Sequence, residues 1–264
     1  MVLTYPFQFS TFPFQLYLQM ILSIIIPVYN EEYLVTQLLQ KVVDLQLEGD
    51  LEKEIIVIDD GSSDETYLKI EAWMRSSGSN LIQLLRHDQN QGKGAAVRTG
   101  FKAAHGDILI IQDADLEYDP ADINDVVRPI LKGKTQIVYG SRILREKALG
   151  RSGFLGLITG KHPHSYVLAY LGGVMITHWT NLLMGSHLTD EPTCYKCYLR
   201  SALNGIEIEC DDFSWEPEVT VKLLRSGYSI EEVPISYHPR KTSEGKKINW
   251  KHGVMALWTV WKYR

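Results

Sequence analysis

Three almost continuous apolar runs, each ended by a polar cluster, constrain the fold of this chain more than any other feature. They lie at residues 22–28 (LSIIIPV), 54–58 (EIIVI) and 107–112 (DILIIQ). Runs of this length, rich in β-branched residues, are typical of strands covered on both faces of a parallel sheet. Between the first two runs, leucines and valines recur at helical spacing over residues 34–43. This part of the sequence therefore alternates between strand and helix.

The same alternation continues through further short segments. Two more strands are predicted at residues 81–85 and 136–139, and helices at residues 30–45, from Ser63 onwards and at residues 94–104. Strands and helices that alternate at this spacing favour a parallel α/β sheet. No stretch rich in Pro, Gly and Ser divides the 264 residues, and 45% of them are hydrophobic, enough for one large core. We predict one α/β domain with a mostly parallel central sheet flanked by helices.

Polar clusters follow three of the predicted strands directly. They are Tyr-Asn-Glu at residues 29–31, the pair Asp59 and Asp60, and Asp-Ala-Asp at residues 113–115. In open α/β sheets, ligands bind beyond the carboxyl ends of the strands, where such clusters converge. The sequence therefore predicts one polar site built from three strand ends.

The third cluster has the composition of a divalent metal site. Asp113 and Asp115 are two residues apart, and Glu117 follows two residues later. Mg²⁺ and Mn²⁺ favour oxygen ligands and usually bind one or two carboxylates together with substrate phosphates. Such a metal would bridge a diphosphate and neutralise its developing charge. The alternative is a turn that caps the next helix, since Asp and Pro recur at residues 119–122. The neighbouring polar strand ends favour the metal site.

A glycine-containing segment, Asn-Gln-Gly-Lys-Gly at residues 90–94, resembles a phosphate-binding loop. Its spacing matches neither the P-loop nor the dinucleotide-binding motif. We therefore favour glycines that allow a tight turn into the following helix, and keep phosphate binding as the alternative.

The charge is unevenly distributed along the chain. A net charge of −5 argues against extensive nucleic-acid binding. From Arg240 to Arg264, however, seven Lys and Arg residues face a single carboxylate, Glu244. A basic segment on an acidic protein predicts an anionic partner such as a phosphate, a diphosphate or a lipid headgroup, with a solvated helix face as the alternative.

Residues 165–185 contain no Asp, Glu, Lys or Arg, and this length could span a bilayer. Glycine, threonine, histidine and asparagine interrupt its apolar character, and a single crossing would place the flanking segments on opposite sides. We therefore reject a transmembrane span. A helical segment that faces the membrane is expected instead, with a buried helix as the alternative.

The last helix is predicted to be amphipathic. Five apolar residues form one stripe: Trp250, Val254, Leu257, Trp258 and Trp261. Lysines lie largely outside the stripe, a pattern typical of a helix lying on anionic lipid. A helix docked on the sheet is the alternative.

These observations suggest a division of the chain. Residues 1–19, rich in Phe, Tyr, Gln and Pro and without the basic start of a signal peptide, are expected to form an accessory tail. The domain is expected to cover residues 20–242, with residues 143–187 as a segment facing the acceptor or the membrane. Residues 243–264 are expected to form the basic amphipathic helix.

The motifs resemble a known family. Residues 23–32 (SIIIPVYNEE), 57–64 (VIDDGSSD) and 112–115 (QDAD) resemble the signature of family 2 glycosyltransferases. Residues 140–142 (GSR), 189–196 and 215–218 (WEPE) look like its branch of polyprenyl-phosphate sugar synthases, which includes the dolichyl-phosphate mannose and glucose synthases. The resemblance covers about residues 22–264 and implies a GT-A type, Rossmann-like fold.

The resemblance also implies roles for individual residues. Those expected around the nucleoside are Pro27, Tyr29, Glu31, Ile58 and Asp60. Those expected at the diphosphate are Asp113, Ala114 and Asp115. A Mg²⁺ or Mn²⁺ ion is expected on Asp115 and Glu117, with Asp113 as a further candidate ligand. Many relatives carry Gln at the position of Glu117. Those expected to hold donor or acceptor phosphates are Arg142, Lys196, Arg240 and Lys246. The catalytic set is Asp113, Asp115, Arg142 and Arg240.

The resemblance implies the transfer of a sugar from a UDP- or GDP-sugar to polyprenyl phosphate, with inversion and with a divalent metal, at the cytoplasmic face of a membrane. A phosphate monoester is largely dianionic at neutral pH and can attack the anomeric carbon without a general base. One alternative is a soluble family 2 enzyme that acts on a sugar hydroxyl, with Glu216 or Asp212 as its base. A further alternative is a sugar-nucleotide-binding protein without turnover.

Overall fold

A central β-sheet organises the part of the chain that the computed structural model describes, namely residues 19–78, 81–150, 164–240 and 250–264. Its strands are β1 (Ile21–Val28), β2 (Glu52–Asp59), β3 (Ile82–Arg86), β4 (Ile108–Ile111), β5 (Ile137–Ser141), β6 (Lys196–Leu199) and β7 (Glu231–Pro234). They lie in the order β3-β2-β1-β4-β6-β5-β7.

Helices cover this sheet and extend beyond it. They are α1 (Val35–Asp44), α2 (Thr66–Ser77), α3 (Lys93–Ala103), α4 (Ile123–Leu131), α5 (Arg142–Ala148), α6 (His164–Met184), α7 (Trp215–Arg225) and α8 (Trp250–Tyr263). Short 3₁₀ turns lie at Pro120–Asp122 and Arg200–Leu203.

The strand pairing confirms the predicted mostly parallel sheet. β1 pairs in parallel with β2 and β4, β2 pairs in parallel with β3, and β5 pairs in parallel with β7. Val28 is in register with Asp59, so the polar clusters after β1 and β2 begin at the same level. The exception is β6, which lies antiparallel between β4 and β5.

Two strands were not predicted from the sequence. β6 has only four residues, and β7 (EEVP) has a half-exposed pattern with no apolar run. Neither carries the periodicity on which the prediction of the other strands rested. Both lie in the second half of the chain, where the alternation of strand and helix is less regular.

The core has two layers, one on each face of the sheet. Ile24 and Ile26 point to the face covered by α1, whereas Ile25 and Ile58 pack against α3 on the other face. At Gly100 in α3, an added Cβ would lie 2.4 Å from Cγ2 of Ile25, so this helix sits directly on the strands. Close packing on both faces explains why β1 and β2 are apolar almost throughout.

The helices α6, α7 and α8 pack together beside the sheet. Val221 of α7 and Val260 and Tyr263 of α8 form a small separate core, and the Trp179 indole of α6 donates a hydrogen bond to the Leu257 carbonyl oxygen at 3.2 Å. Among the helices formed by the described residues, none has the length and apolar character needed to cross a bilayer.

Candidate active site

The loops after β1 and β2 are joined by hydrogen bonds. The Asn30 backbone N–H donates to Oγ of Ser62 at 2.9 Å, and the Ser63 N–H donates back to Oδ1 of Asn30 at the same distance. The Glu31 N–H donates to Oγ1 of Thr66 at 2.8 Å. Asn30 has a positive φ of 50°, which turns the chain sharply at the end of β1. These contacts fix Glu31 at the edge of the sheet.

Asp60, at the end of β2, organises the segment that precedes α3. Its carboxylate accepts hydrogen bonds from the backbone N–H groups of Gln91 and Gly92 at 2.9 and 2.8 Å, and from the Asn90 side chain at 3.1 Å. Nδ1 of His87 lies 2.7 Å from it. Gly92 has a φ of 102°, as the predicted tight turn requires. Asp60 therefore has a structural role in the turn at residues 90–94.

Lys93, the first residue of α3, connects two separate carboxylates. Its ammonium group lies 2.8 Å from Asp113, beyond β4, and 2.9 Å from Glu216, in the first turn of α7. Burial alone would lower the pKa of Lys93, but the negative charges of Asp113 and Glu216 outweigh this effect and raise the pKa well above its ordinary value. The sequence prediction did not include Lys93 among the site residues, although the unusual glycine motif around it was a signal.

Arg240, in the loop after β7, lies among three carboxylates from two strand ends. Its guanidinium is 3.0 Å from Glu31, 3.0 Å from Asp115 and 3.5 Å from Glu117. Its backbone N–H also donates to Glu117 at 3.1 Å. The structure thus brings together Glu31, Asp115, Glu117 and Arg240, and the roles that the family resemblance implies for them remain predictions. We call these four residues the edge cluster.

Asp115 is a partly buried carboxylate beside two further carboxylates, Asp113 and Glu117. Burial, together with the negative charges of Asp113 and Glu117, raises its pKa to about 7 despite the opposing effect of Arg240. A carboxylate in this situation is stabilised in its charged form by an additional cation. The environment of Asp115 therefore fits a divalent metal.

The three predicted metal ligands do not form a ready-made metal-binding cluster. Within the described residues, no group of three His, Cys, Asp or Glu side chains is arranged to hold a metal ion. Asp113 is occupied by Lys93, and Glu117 accepts a hydrogen bond from the Tyr237 hydroxyl at 2.5 Å in addition to that from Arg240. Metal binding at Asp115 and Glu117, with Asp113 as a further candidate ligand, therefore remains a prediction. One or two carboxylates with substrate phosphates are a usual environment for Mg²⁺.

Arg142, at the start of α5, is held beside the edge cluster. Its guanidinium makes a two-pronged contact with Asp190, at 2.8 and 2.7 Å, and donates to the Pro192 carbonyl oxygen at 2.7 Å. Its charge lies 5.0 Å from the centre of the Tyr237 ring, whose hydroxyl reaches Glu117. Arg142 is therefore close to the edge cluster, but its position is set by Asp190.

The comparison with known proteins assigns the family. Residues 23–203 match the model of glycosyl transferase family 2, which is more than half of the chain. The chain belongs to glycosyl transferase family 2.

Two of the curated relatives that the chain resembles are named as transferases of sugars to lipid phosphates. The chain is 28% identical over 231 residues to UDP-N-acetylglucosamine–dolichyl-phosphate N-acetylglucosaminyltransferase of Methanococcus voltae, which covers 81% of this chain and 84% of that protein. It is 28% identical over 225 residues to dolichol-phosphate mannosyltransferase of Pyrococcus furiosus, covering 85% of this chain and 58% of the relative. It is also 27% identical over 223 residues to glycosyltransferase AglD of Haloferax volcanii, and this match covers 83% of this chain but only 33% of the length of that relative.

A solved structure supports the GT-A type fold. Glucosyl-3-phosphoglycerate synthase of Mycobacterium tuberculosis, crystallised with Mn²⁺, UDP and phosphoglyceric acid, superposes with a TM-score of 0.65 at 18% identity. The match covers 92% of this chain and 78% of the synthase. At this identity the likeness establishes the fold alone. The predicted fold class is thereby confirmed.

Not every residue suggested by the family resemblance is accessible to a ligand. The ammonium group of Lys196 is fully buried, 2.7 Å from the Glu191 carbonyl oxygen and 3.2 Å from Oγ1 of Thr220, and 3.9 Å from the centre of the Tyr139 ring. The prediction that Lys196 holds a phosphate does not agree with this position and is corrected: Lys196 belongs to the core. Lys246 lies outside the described residues.

The predicted nucleoside residues fall into two groups. Pro27 and Tyr29 are partly exposed near the end of β1, beside Glu31. Ile58 is buried, and its side chain packs beneath α3. Contact of these residues with a nucleoside remains a prediction, and for Ile58 the buried side chain leaves the backbone as the group to make it. Ala114, which was predicted at the diphosphate, is also buried.

Proposed function

We propose that this protein is an inverting glycosyltransferase that moves a sugar from a UDP- or GDP-sugar to polyprenyl phosphate. The observation that carries the proposal is the edge cluster, in which Arg240 lies directly beside Asp115 at the carboxyl ends of the strands. A site that combines carboxylates with an arginine can hold two anionic substrates, one through a metal and one directly. The names of the curated relatives support a lipid phosphate as the second substrate.

The donor is expected at the strand ends, with its nucleoside near Tyr29 and its diphosphate near Asp115. A divalent metal held at Asp115 would neutralise the negative charge of the departing diphosphate. Glu117, fixed by Tyr237 and by the Arg240 backbone, is the second carboxylate within reach of that position. Arg240 adds positive charge on the same side.

The acceptor phosphate is expected beside Arg240 and Arg142, because guanidinium groups bind phosphate oxygens in pairs. In the proposed reaction, a phosphate oxygen forms a bond to the anomeric carbon while the bond from that carbon to the diphosphate oxygen breaks. The nucleoside diphosphate leaves with the bonding electrons, and the anomeric configuration is inverted. The contribution of the protein is to align two anions that otherwise repel each other.

The contacts of the two candidate bases disfavour a sugar hydroxyl as the acceptor. Glu216 is held by the Lys93 ammonium, and Asp212 accepts a hydrogen bond from the Ser214 N–H at 2.9 Å at the start of α7. A hydroxyl acceptor needs a carboxylate that can take its proton. The pairing of Glu216 with a cation favours an acceptor that is already ionised.

The surface of α6 and α8 supports peripheral contact with a membrane, for which we propose the cytoplasmic face. Large apolar side chains are exposed on both helices: Leu171, Val174, Met175 and Leu182 on α6, and Trp250, Val254, Met255, Trp258 and Trp261 on α8. The predicted stripe on α8 points outward except at half-buried Leu257, because α8 docks through Ala256, Val260 and Tyr263. Exposed tryptophans beside Lys262 suit a headgroup layer.

The test is incubation of the protein with a panel of radiolabelled UDP- and GDP-sugars, polyprenyl phosphate and Mg²⁺ or Mn²⁺, followed by organic extraction. We expect one donor to give extractable label that depends on both the lipid and the metal. Label transferred only to water would point to an enzyme with another acceptor. Tight donor binding without transfer or hydrolysis would support a binding protein without turnover.

A further inference from the structure

Lys93 is a nearly buried cation between two segments that are far apart in the sequence. Its side chain is 11% exposed, and it contacts Asp113 beyond β4 and Glu216 in α7 at 2.8 and 2.9 Å. On a third side, the ammonium lies 5.5 Å from the centre of the Phe213 ring. Lys93 therefore links the carboxyl end of β4 to the first turn of α7.

The backbone around Lys93 leaves this residue little freedom to move. A Cβ added at Gly94 would lie 2.1 Å from the Cys210 carbonyl oxygen, and one at Gly92 would lie 2.4 Å from that of Asp211. The Ala95 N–H donates to the same Asp211 oxygen at 3.1 Å. The first turn of α3 thus packs directly on the backbone of the segment before α7. The two glycines are required for this close approach, which fixes the position of the Lys93 backbone between them.

The charges explain why a fixed cation is needed there. Asp113 and Glu216 contact the same ammonium group, so without it two carboxylates would face each other across a short gap. A carboxylate left without a counter-charge about 6 Å from a bound anion, at a partly exposed site, repels that anion strongly enough to weaken its binding about 100-fold. Compensation of the negative charge here therefore matters most for a substrate that is itself an anion.

We propose that Lys93 is a positioning residue that keeps Glu216 ion-paired and offsets one of the two negative charges of Asp113 and Glu216, so that the acceptor must supply its own negative charge. The inference rests on the proposed function and refines it. In this proposal Glu216 transfers no proton, and the glycine motif at residues 90–94 contributes to the selection of the acceptor by holding Lys93 in place. Phosphate acceptors are admitted, whereas neutral hydroxyl acceptors find no base.

The test compares Lys93→Met, Glu216→Gln and the double variant, with steady-state kinetics for polyprenyl phosphate. We expect Lys93→Met to raise the acceptor KM about 100-fold, with a smaller effect on kcat, because Asp113 and Glu216 then repel the phosphate. Adding Glu216→Gln should restore the acceptor KM to within about tenfold of the parent, since one carboxylate is removed. Lys93→Arg should behave closer to the parent than Lys93→Met.

Lys222→Met is the matched control. Lys222 also bridges two carboxylates, Glu218 at 2.7 Å and Glu209 at 2.8 Å, and it lies on the same helix as Glu216. Its loss should lower the thermal midpoint in the same way as Lys93→Met while leaving the acceptor KM unchanged. If Lys93→Met does not fold, Lys93→Gln with and without Glu216→Gln provides the same comparison.

The outcomes separate the two levels of the proposal. If the double variant binds acceptor no better than Lys93→Met, or if Lys222→Met raises the acceptor KM equally, the role of Lys93 is overturned while the phosphate acceptor stands. If Glu216→Gln alone abolishes kcat, and the parent transfers sugar to a hydroxyl acceptor, Glu216 is a base and the proposed function itself is overturned.

Discussion

Arg240 and Lys196 are both cations that contact carboxylates in the interior, yet they have different surroundings. Arg240 lies 13% exposed in the edge cluster, among side chains from two strand ends. Lys196 is 0% exposed and contacts Glu191, Thr220 and the Tyr139 ring. The family resemblance suggested phosphate binding for both. Their packing separates a cation that can meet a ligand from one that holds the core together.

The difference follows from their positions in the sheet. Arg240 follows β7, the edge strand, where the chain returns over the carboxyl ends of the strands. Lys196 begins β6, which lies between β4 and β5 in the sheet. A side chain on an interior strand points into one of the two covered faces, so a lysine there requires buried partners. The comparison predicts that Lys196 governs stability and the edge cluster governs turnover.

The largest effect is expected from Lys196→Met. Removing one partner of a buried ion pair leaves the Glu191 charge uncompensated and should lower the free energy of unfolding by about 3–5 kcal/mol. Urea unfolding followed by circular dichroism measures this loss. Lys196→Met/Glu191→Leu should recover most of it, because both charges are then removed. A single variant as stable as the parent would contradict the assignment of Lys196 to the core.

Asp115→Ala should show the opposite behaviour. Transfer should fall by about 10²–10³-fold, because the departing diphosphate loses its stabilising charge, while the fold remains intact. The rate with saturating donor and metal measures the effect, and Asp125→Ala, a surface carboxylate paired with Arg128, is the control. Full activity of Asp115→Ala, or of the parent protein in excess EDTA, would exclude a metal at Asp115 from the proposed reaction.

The two regions also differ in how far the sequence predicts them. The apolar runs and their polar ends predicted β1, β2 and β4 and the meeting of Glu31 with Asp115, because parallel strands place their carboxyl ends at one edge. Lys93 was missed because its partner Glu216 is 123 residues away. The burial of Lys196 could not be predicted either, since β6 is too short to show a period and its antiparallel pairing is a tertiary property.

The free energy of unfolding should also depend on pH through Asp115 of the edge cluster. Because folding raises the pKa of Asp115 to about 7, above an unfolded value near 4, the folded protein binds this proton more tightly than the unfolded chain. The stability of the metal-free protein should therefore fall as pH rises from about 4 to about 7. Urea unfolding across this range should show a flatter profile for Asp115→Asn. Equal slopes in both proteins would exclude Asp115 as the source.

The smallest effect concerns the outer surface of α8. Trp258→Glu/Trp261→Glu should lose binding to anionic vesicles in co-sedimentation while retaining donor affinity, because both side chains are exposed and stack on each other away from the edge cluster. Raising the salt concentration should weaken the binding of the parent protein, since each nearby Lys or Arg contributes about 1 kcal/mol. Undiminished sedimentation of the double variant would remove this surface from the membrane proposal.

The proposed function requires an acceptor that supplies its own negative charge. The sharpest test is the initial rate of sugar transfer to polyprenyl phosphate and to the polyprenol of the same chain length, with the active donor and metal held constant. We expect transfer to the phosphate at a rate at least about 10²-fold above that for the alcohol, because a general base typically contributes about this factor and the alcohol finds none. Comparable rates for the two lipids, or a preference for the alcohol, would contradict the proposed function.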